Sequence, residues 1–270
     1  MKRVDFIYCK IYINEVTLCQ KYLLAITNLA FCNLFDRMTS TIQISRPLFQ
    51  SDISVDNVIF GFDGFELKIL LIKRGEDPYN GMWALPGDLV NTAENLDSAA
   101  ARVLKQLTNL NDVYLEQVHT FGAVGRHPLG RIITIAYFSL IKIDHYVVAP
   151  SSFAQKAQWH PVSESRTLAF DHNEIVKACF QKLKRRVRTQ PIGFELLPPK
   201  FTLTDLQQLY EAILEIPLDK RNFRKKILAM NILVDSDETQ AGVAHRPARL
   251  YQFDHEKYNQ LVENGYNFEV

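Results

Sequence analysis

Residues 83–110 read WALPGDLVNTAENLDSAAARVLKQLTNL, and the reading of the fold turns on them. A strand-like Ala84-Leu85-Pro86-Gly87 turn leads through a loop to Glu94. Beyond it Leu96, Ala99, Ala100, Val103, Leu104 and Leu107 recur at helical spacing, which predicts a helix over 96–107 with one apolar face.

This loop-helix-loop resembles the box of the Nudix hydrolases, in which a Gly, five residues, Glu, seven residues, Arg-Glu, an aliphatic, any residue, Glu-Glu, any residue, Gly and an aliphatic follow one another. Laid on that pattern, Glu94, Arg102, Leu104 and Leu110 stay in register, while Asp88 and Asn109 stand where the two glycines belong. The three box glutamates fall on Val103, Gln106 and Leu107. In working members, carboxylates on one helical face hold the divalent metal that activates water and neutralises pyrophosphate. Val and Leu offer no oxygen, and Gln offers a neutral one. The expectation is therefore a Nudix fold whose hydrolytic site is dismantled, with no cofactor and no catalytic residue. A divalent metal enters only if the chain is instead a MutT-like pyrophosphohydrolase. The bland alternative is an amphipathic helix that matches the box by accident.

Working outward, apolar runs at 56–62 and 67–74 read as strands of a hairpin closed by the Asp63-Gly64 turn. Further strands are expected at 113–124 and 132–143, joined by Gly125-Arg126-His127-Pro128-Leu129-Gly130-Arg131, and a helix at 174–187. A mixed sheet between helices is an α+β arrangement. The segment 188–200 carries Pro191, Pro198 and Pro199 and reads as a linker. The basic run before it, from Lys182 to Arg188, reads as a solvated face at a helix C-terminus.

Two helices then follow in close order, 204–214 and 220–230, the second opening on Asp219 as N-cap. Phe223, Ile227 and Leu228 are expected to face inward, and Lys220, Arg221, Arg224, Lys225 and Lys226 outward. Strands at 232–234 and 249–253 would form a hairpin whose loop carries Gly242, His245, Arg246, Pro247 and Arg249. Helix, turn, helix and a basic wing is the order of a winged helix, which lays its second helix in the DNA major groove.

Length and composition agree with this layout. The 270 residues suit two modest domains, and 47% hydrophobic with 23% charged residues is the make-up of a globular protein. A net charge of +1 excludes a globally basic nucleic-acid binder, so any DNA surface is local. Of four cysteines, Cys9, Cys19 and Cys32 crowd the first 32 residues without metal-type spacing, which fits a reduced cytoplasmic setting. No stretch is apolar enough to span a bilayer; 22–35 is broken by Thr27, Asn28 and Asn33. The histidines His119, His127, His145, His160 and His172 show no metal spacing. Residues 1–37 fit neither a clean strand nor a capped helix, and either translation starts at Met38 or they form an extra packed helix.

A degenerate Nudix box followed by a winged helix resembles the Nudix-related transcriptional regulators, bacterial repressors and activators of NAD and pentose metabolism. Beside the box, the resemblance rests on Gly81-Met82-Trp83-Ala84-Leu85-Pro86-Gly87, Gln190-Pro191-Ile192-Gly193-Phe194 and Asp219-Lys220-Arg221-Asn222-Phe223-Arg224. It implies a Nudix α/β/α sandwich, then a winged-helix domain, in a cytoplasmic homodimer that binds operator DNA and a small effector, ADP-ribose or another nucleotide or sugar. The expected division is an extension at 1–54, an effector domain at 55–189 and a DNA-binding domain at 190–270. Effector contacts are expected from Arg74, Trp83, Glu94, Arg126 and Arg131, since arginines grip phosphate bidentately and Trp stacks on rings. DNA contacts are expected from Lys220, Arg221, Arg224, Lys225, Lys226, Arg246 and Arg249. Two readings from other classes stand beside this one, a pyrophosphohydrolase and an RNA-binding or scaffold protein.

Overall fold

The structure, a computed structural model, describes residues 52–143, 147–164, 167–242 and 246–270. The alternatives for the N-terminal extension and the start at Met38, together with His145 and His245, lie outside the described residues.

Strands β1 (Asp52–Phe62) and β6 (Ile132–Lys142) run parallel along their whole length, from Asp52 opposite Ile132 to Phe62 opposite Lys142. Both are long apolar runs because both faces of this centre are covered. Outward from them lie β2 (Leu67–Arg74) and β3 (Trp83–Ala84) on one side and β5 (Glu116–Phe121) on the other. The short β4 (Gly87–Leu89) pairs with β1, and β7 (Ala154–Pro161) pairs with β2. The strand at β7 is absent from the sequence-based expectation because Ala-Gln-Lys-Ala-Gln-Trp-His-Pro lacks the branched apolar residues that mark a buried strand.

Helix α1 (Leu96–Thr108) is the box helix, and it buries Ala99, Ala100, Val103, Leu104 and Leu107 against the sheet. Asn95 caps its start by accepting from the Ser98 amide, and Asn109 ends it at φ 64°. The box places glycine there because the turn needs a left-handed residue; asparagine is the next best choice. On the opposite face α2 (His172–Thr189) buries Ile175, Cys179, Leu183 and Val187.

The segment expected to be a linker is part of the core. Arg188 and Thr189 finish α2, and a short 3-10 helix (η1, Pro191–Leu196) buries Gly193, Phe194 and Leu196. Proline at its first position sets the turn without losing a hydrogen bond. Next come α3 (Leu203–Leu214), opened by a Thr202–Asp205 capping box, and α4 (Lys220–Ala229), opened by Asp219 accepting from the Asn222 amide. Phe223 and Ile227 are buried as expected, but Leu228 is 47% exposed. It lies about 100° round the helix from Ile227, off the buried stripe. Strands β8 (Leu233–Thr239) and β9 (Arg249–Phe253) form the wing, and α5 (His255–Glu263) follows, capped by Asp254. One apolar cluster runs unbroken from Val58 and Phe138 through Leu183, Val187 and Phe194 to Tyr210, Phe223 and Ile227.

Candidate functional site

A cleft of about 490 Å³ opens where β1, β4 and the start of α2 meet, walled by Arg74, Arg126, His127, Phe153 and Phe170. Arg74 is fixed by its Nε donating to the Pro78 carbonyl at 2.8 Å, and its guanidinium lies 5.1 Å from the Phe170 ring and 5.4 Å from the Phe153 ring. Phe170 in turn carries the His127 ring stacked at 4.8 Å and the Tyr79 ring edge-on at 4.8 Å. Burial, with Arg126 and Arg74 nearby, holds the His127 pKa below its ordinary value. Arg126 is the second cation of the cleft; its Nε and one terminal nitrogen hold both oxygens of Asp171 at 2.7 and 2.6 Å, and the other terminal nitrogen donates to Thr134. Two arginines in a cleft walled by half-buried aromatic rings suit a ligand that joins an anion to a base or sugar.

The floor is a buried acid. Asp56 lies under the cleft with its Oδ2 3.6 Å from His172 Nε2. His172 Nδ1 accepts from the Leu85 amide at 2.9 Å, which leaves the ring proton on Nε2, facing the carboxyl. Burial raises the Asp56 pKa to about 7 and lowers that of His172 to about 3. Gly87 is required here, since a Cβ on it would stand 1.7 Å from Asp56 Oδ1. The two shifts act oppositely on stability. The Asp56 contribution is greatest below the unfolded pKa near 4 and is lost as pH rises to 7, whereas that of His172 grows from about pH 3 to 6.5. Replacing Asp56 with Asn removes only the first, so its advantage over the native chain should widen between pH 4 and 7, by on the order of 4 kcal/mol in all. Urea denaturation at pH 4, 5, 6 and 8 reads this directly, and a constant difference would contradict it.

Of the expected effector contacts, Arg74 and Arg126 meet in the cleft. The other three stand outside its lining. Trp83 packs edge-on against the His160 ring, with centroids 4.4 Å apart. Glu94 is held by Arg102 Nε at 2.9 Å, and these hydrogen bonds, with one from the Asn91 amide, lower its pKa to about 2. Arg131 donates to the Gly122 and Ala123 carbonyls and ties down its own loop. Asp56, Phe153, Asp171 and His172 were not anticipated. Their one sequence signal was Phe170-Asp171-His172 immediately before a helix.

The box positions do not fit a metal. Val103 and Leu107 are buried beside Val55, Ile72 and Ile135, and the Gln106 side-chain oxygen accepts from Arg102 at 2.9 Å. Among the described residues, no group of three or more His, Cys, Asp or Glu is arranged to hold a metal ion.

At the other end, Lys220, Arg221, Lys225 and Lys226 are exposed on α4. Arg224 differs from them, since it is half-buried and donates to Thr204 Oγ1 at 3.0 Å across to α3. Among the described residues of the wing, acids stand beside the arginines expected to meet DNA. Arg249 is paired with Asp235 at 2.7 Å, and β8 adds Asp237 and Glu238, so acids offset Arg246 and Arg249. The basic run of α2 is also not merely solvated, for Lys182 and Arg186 bind Glu116 and Lys184 binds Glu215. No helix among the described residues is long and apolar enough to cross a membrane.

Comparison with known proteins agrees with this order of domains. Residues 51–179 match the NUDIX domain and residues 193–253 the NrtR DNA-binding winged helix domain. The ADPR responsive transcriptional repressor NtrR of Acinetobacter baylyi is 35% identical over 211 residues, which is 77% of this chain and 84% of that one. The crystal structure of Shewanella oneidensis NrtR is 27% identical with a TM-score of 0.64, covering 80% of this chain and 97% of that one. The same protein complexed with a 27mer DNA is 26% identical with a TM-score of 0.63, over the same shares. Taken with the order of the two domains, the identity to the Acinetobacter repressor over most of its length means that this chain belongs to the Nudix-related transcriptional regulators of the NrtR type.

Proposed function

We propose that the cleft binds ADP-ribose without hydrolysing it, and that occupancy sets the affinity of the winged helix for operator DNA. One observation carries the reading: Arg74 and Arg126 line one cleft together with the half-buried rings of Phe153 and Phe170, while two of the positions that would hold a catalytic metal, Val103 and Leu107, are buried in the core. The relative from Acinetobacter baylyi is named as ADPR responsive, which supports the choice of ligand. In this reading Arg74 and Arg126 take the diphosphate, and Lys220, Arg221, Lys225 and Lys226 take DNA phosphates. The chain acts in the cytoplasm as a homodimer on a two-fold-symmetric operator, because one winged helix makes too few base contacts to be specific by itself.

Calorimetry with ADP-ribose, followed by operator-fragment anisotropy with and without it, tests the proposal. Saturating ADP-ribose should change DNA affinity within the range of about 5- to 150-fold usual for coupled sites. With magnesium or manganese present, the ligand should be recovered intact. Turnover, or binding that leaves DNA affinity unchanged, would sink the reading.

A further inference from the structure

Helix α2 begins in the cleft, and the residue at its N-cap position is engaged elsewhere. Asn95, Thr202, Asp219 and Asp254 each cap their helices by accepting from an amide of the first turn. Asp171 holds the same position on α2, and aspartate is among the best caps, yet its side chain caps nothing. Its backbone sits at φ −98° and ψ 25° rather than in the extended conformation of the other four. Both carboxylate oxygens are instead spent on Arg126, whose side chain is 5% exposed. The residue before it, Phe170, is held at φ 55°, a left-handed conformation that is strained for an aromatic residue.

The same helix is the element that reaches the DNA-binding part. Its 18 residues span about 27 Å. At its far end Lys184 is bound to Glu215, the C-cap of α3, and Val187 meets Leu209 and Tyr210 of α3 around Gly193. Tyr210 then packs on Phe223 of α4, with ring centroids 5.6 Å apart.

We propose that Asp171 is a two-position latch: it neutralises Arg126 while the cleft is empty, and caps α2 once a phosphate-bearing ligand takes Arg126. This rests on the reading of the cleft given above. A phosphoryl group accepts from guanidinium bidentately, as the carboxylate does, so the two compete for one fork. The displaced carboxylate is stabilised by the amides and positive dipole end of the helix 27 or so Å long, which offsets what it loses at Arg126. Ligand binding thereby alters the start of the helix that carries α3 and α4. Linkage requires that anything holding Asp171 in the capping position also tightens the ligand.

Asp171→Asn in the full chain separates the two positions, because an amide caps as well as a carboxylate but competes weakly for Arg126. Three results are expected. Hydrogen exchange across the first turn of α2 slows on the order of tenfold without ligand, the effect of a side-chain cap added to the backbone bonds that the Glu174 and Ile175 amides already make to the Asp171 carbonyl. ADP-ribose binds on the order of tenfold tighter, for loss of a charged competitor. The free variant's DNA affinity moves toward that of the liganded native chain. Arg126→Gln, which also frees Asp171, should slow the same amides while abolishing the response to ADP-ribose. Asp171→Ala should bind ADP-ribose more tightly yet lose the coupling to DNA. Unchanged exchange in both Asp171→Asn and Arg126→Gln would overturn the latch. If the native chain binds no ADP-ribose, the reading of the cleft fails, and the ligand-free exchange still decides for or against the latch.

Discussion

Writing glutamate into positions 103 and 107, the change that moves α1 back toward the metal-binding pattern, is expected to unfold the protein rather than create a hydrolase. Val103 is fully buried and Leu107 is 1% exposed, both in the cluster that joins α1 to Val55, Ile72 and Ile135. An unpaired carboxylate there costs several kcal/mol even after it takes up a proton, and two together approach the 5–15 kcal/mol by which a typical domain is stable. Circular dichroism should show the native signal lost or the melting temperature lowered by tens of degrees for the double variant. A well-folded double variant that hydrolyses ADP-ribose would show instead that α1 can turn its box face to the cleft. Gln106→Glu gives the contrast, because position 106 is exposed and its partner is Arg102, so this change alone should leave stability within about 0.5 kcal/mol.

The second large effect belongs to α4. Replacing Lys220, Arg221, Lys225 and Lys226 together by alanine should lower DNA affinity on the order of a thousandfold near 0.15 M salt and leave the fold intact, since all four are exposed. The dependence of log K on log salt should flatten by about 0.9 for each phosphate contact removed. Arg224→Ala should behave differently. It removes the hydrogen bond to Thr204 that holds α4 against α3, so about 1 kcal/mol of stability goes with it and the salt slope stays nearly the same. Anisotropy titrations at several salt concentrations distinguish the two, and equal slopes for the quadruple variant and the native chain would remove α4 from the DNA interface.

What could be read in advance divides along physical lines. The runs that became β1, β2 and β6 were visible because a strand covered on both faces is predominantly apolar, as in Val58 to Phe62 of β1. The starts of α1 and α4 lay close to where the sequence put them, because capping is local chemistry between residues three apart. The edge strand β7 escaped, since its contacts come from β2 and not from its own composition. The floor of the cleft escaped for a related reason. Asp56, Gly87 and His172 come from three separate stretches, and nothing in the surroundings of each predicts that they meet. Charge likewise said little without partners, for Arg126 and Arg131 stand five residues apart in one loop, yet one lines the cleft and the other ties the loop to itself.

The unbroken apolar seam through Val187, Phe194 and Tyr210 bears on how such a chain can be handled and how it could have arisen. Cutting after α2 would strip cover from Leu183 and Val187 on one fragment and from Phe194, Leu209 and Tyr210 on the other. Neither piece would behave as a free-standing cassette, and both would be prone to clump through the bared surface. Swapping the DNA-reading half onto another sensor would require transplanting the mating residues as well, so specificity is more readily re-engineered by changing side chains on the outer face of α4 than by exchanging halves.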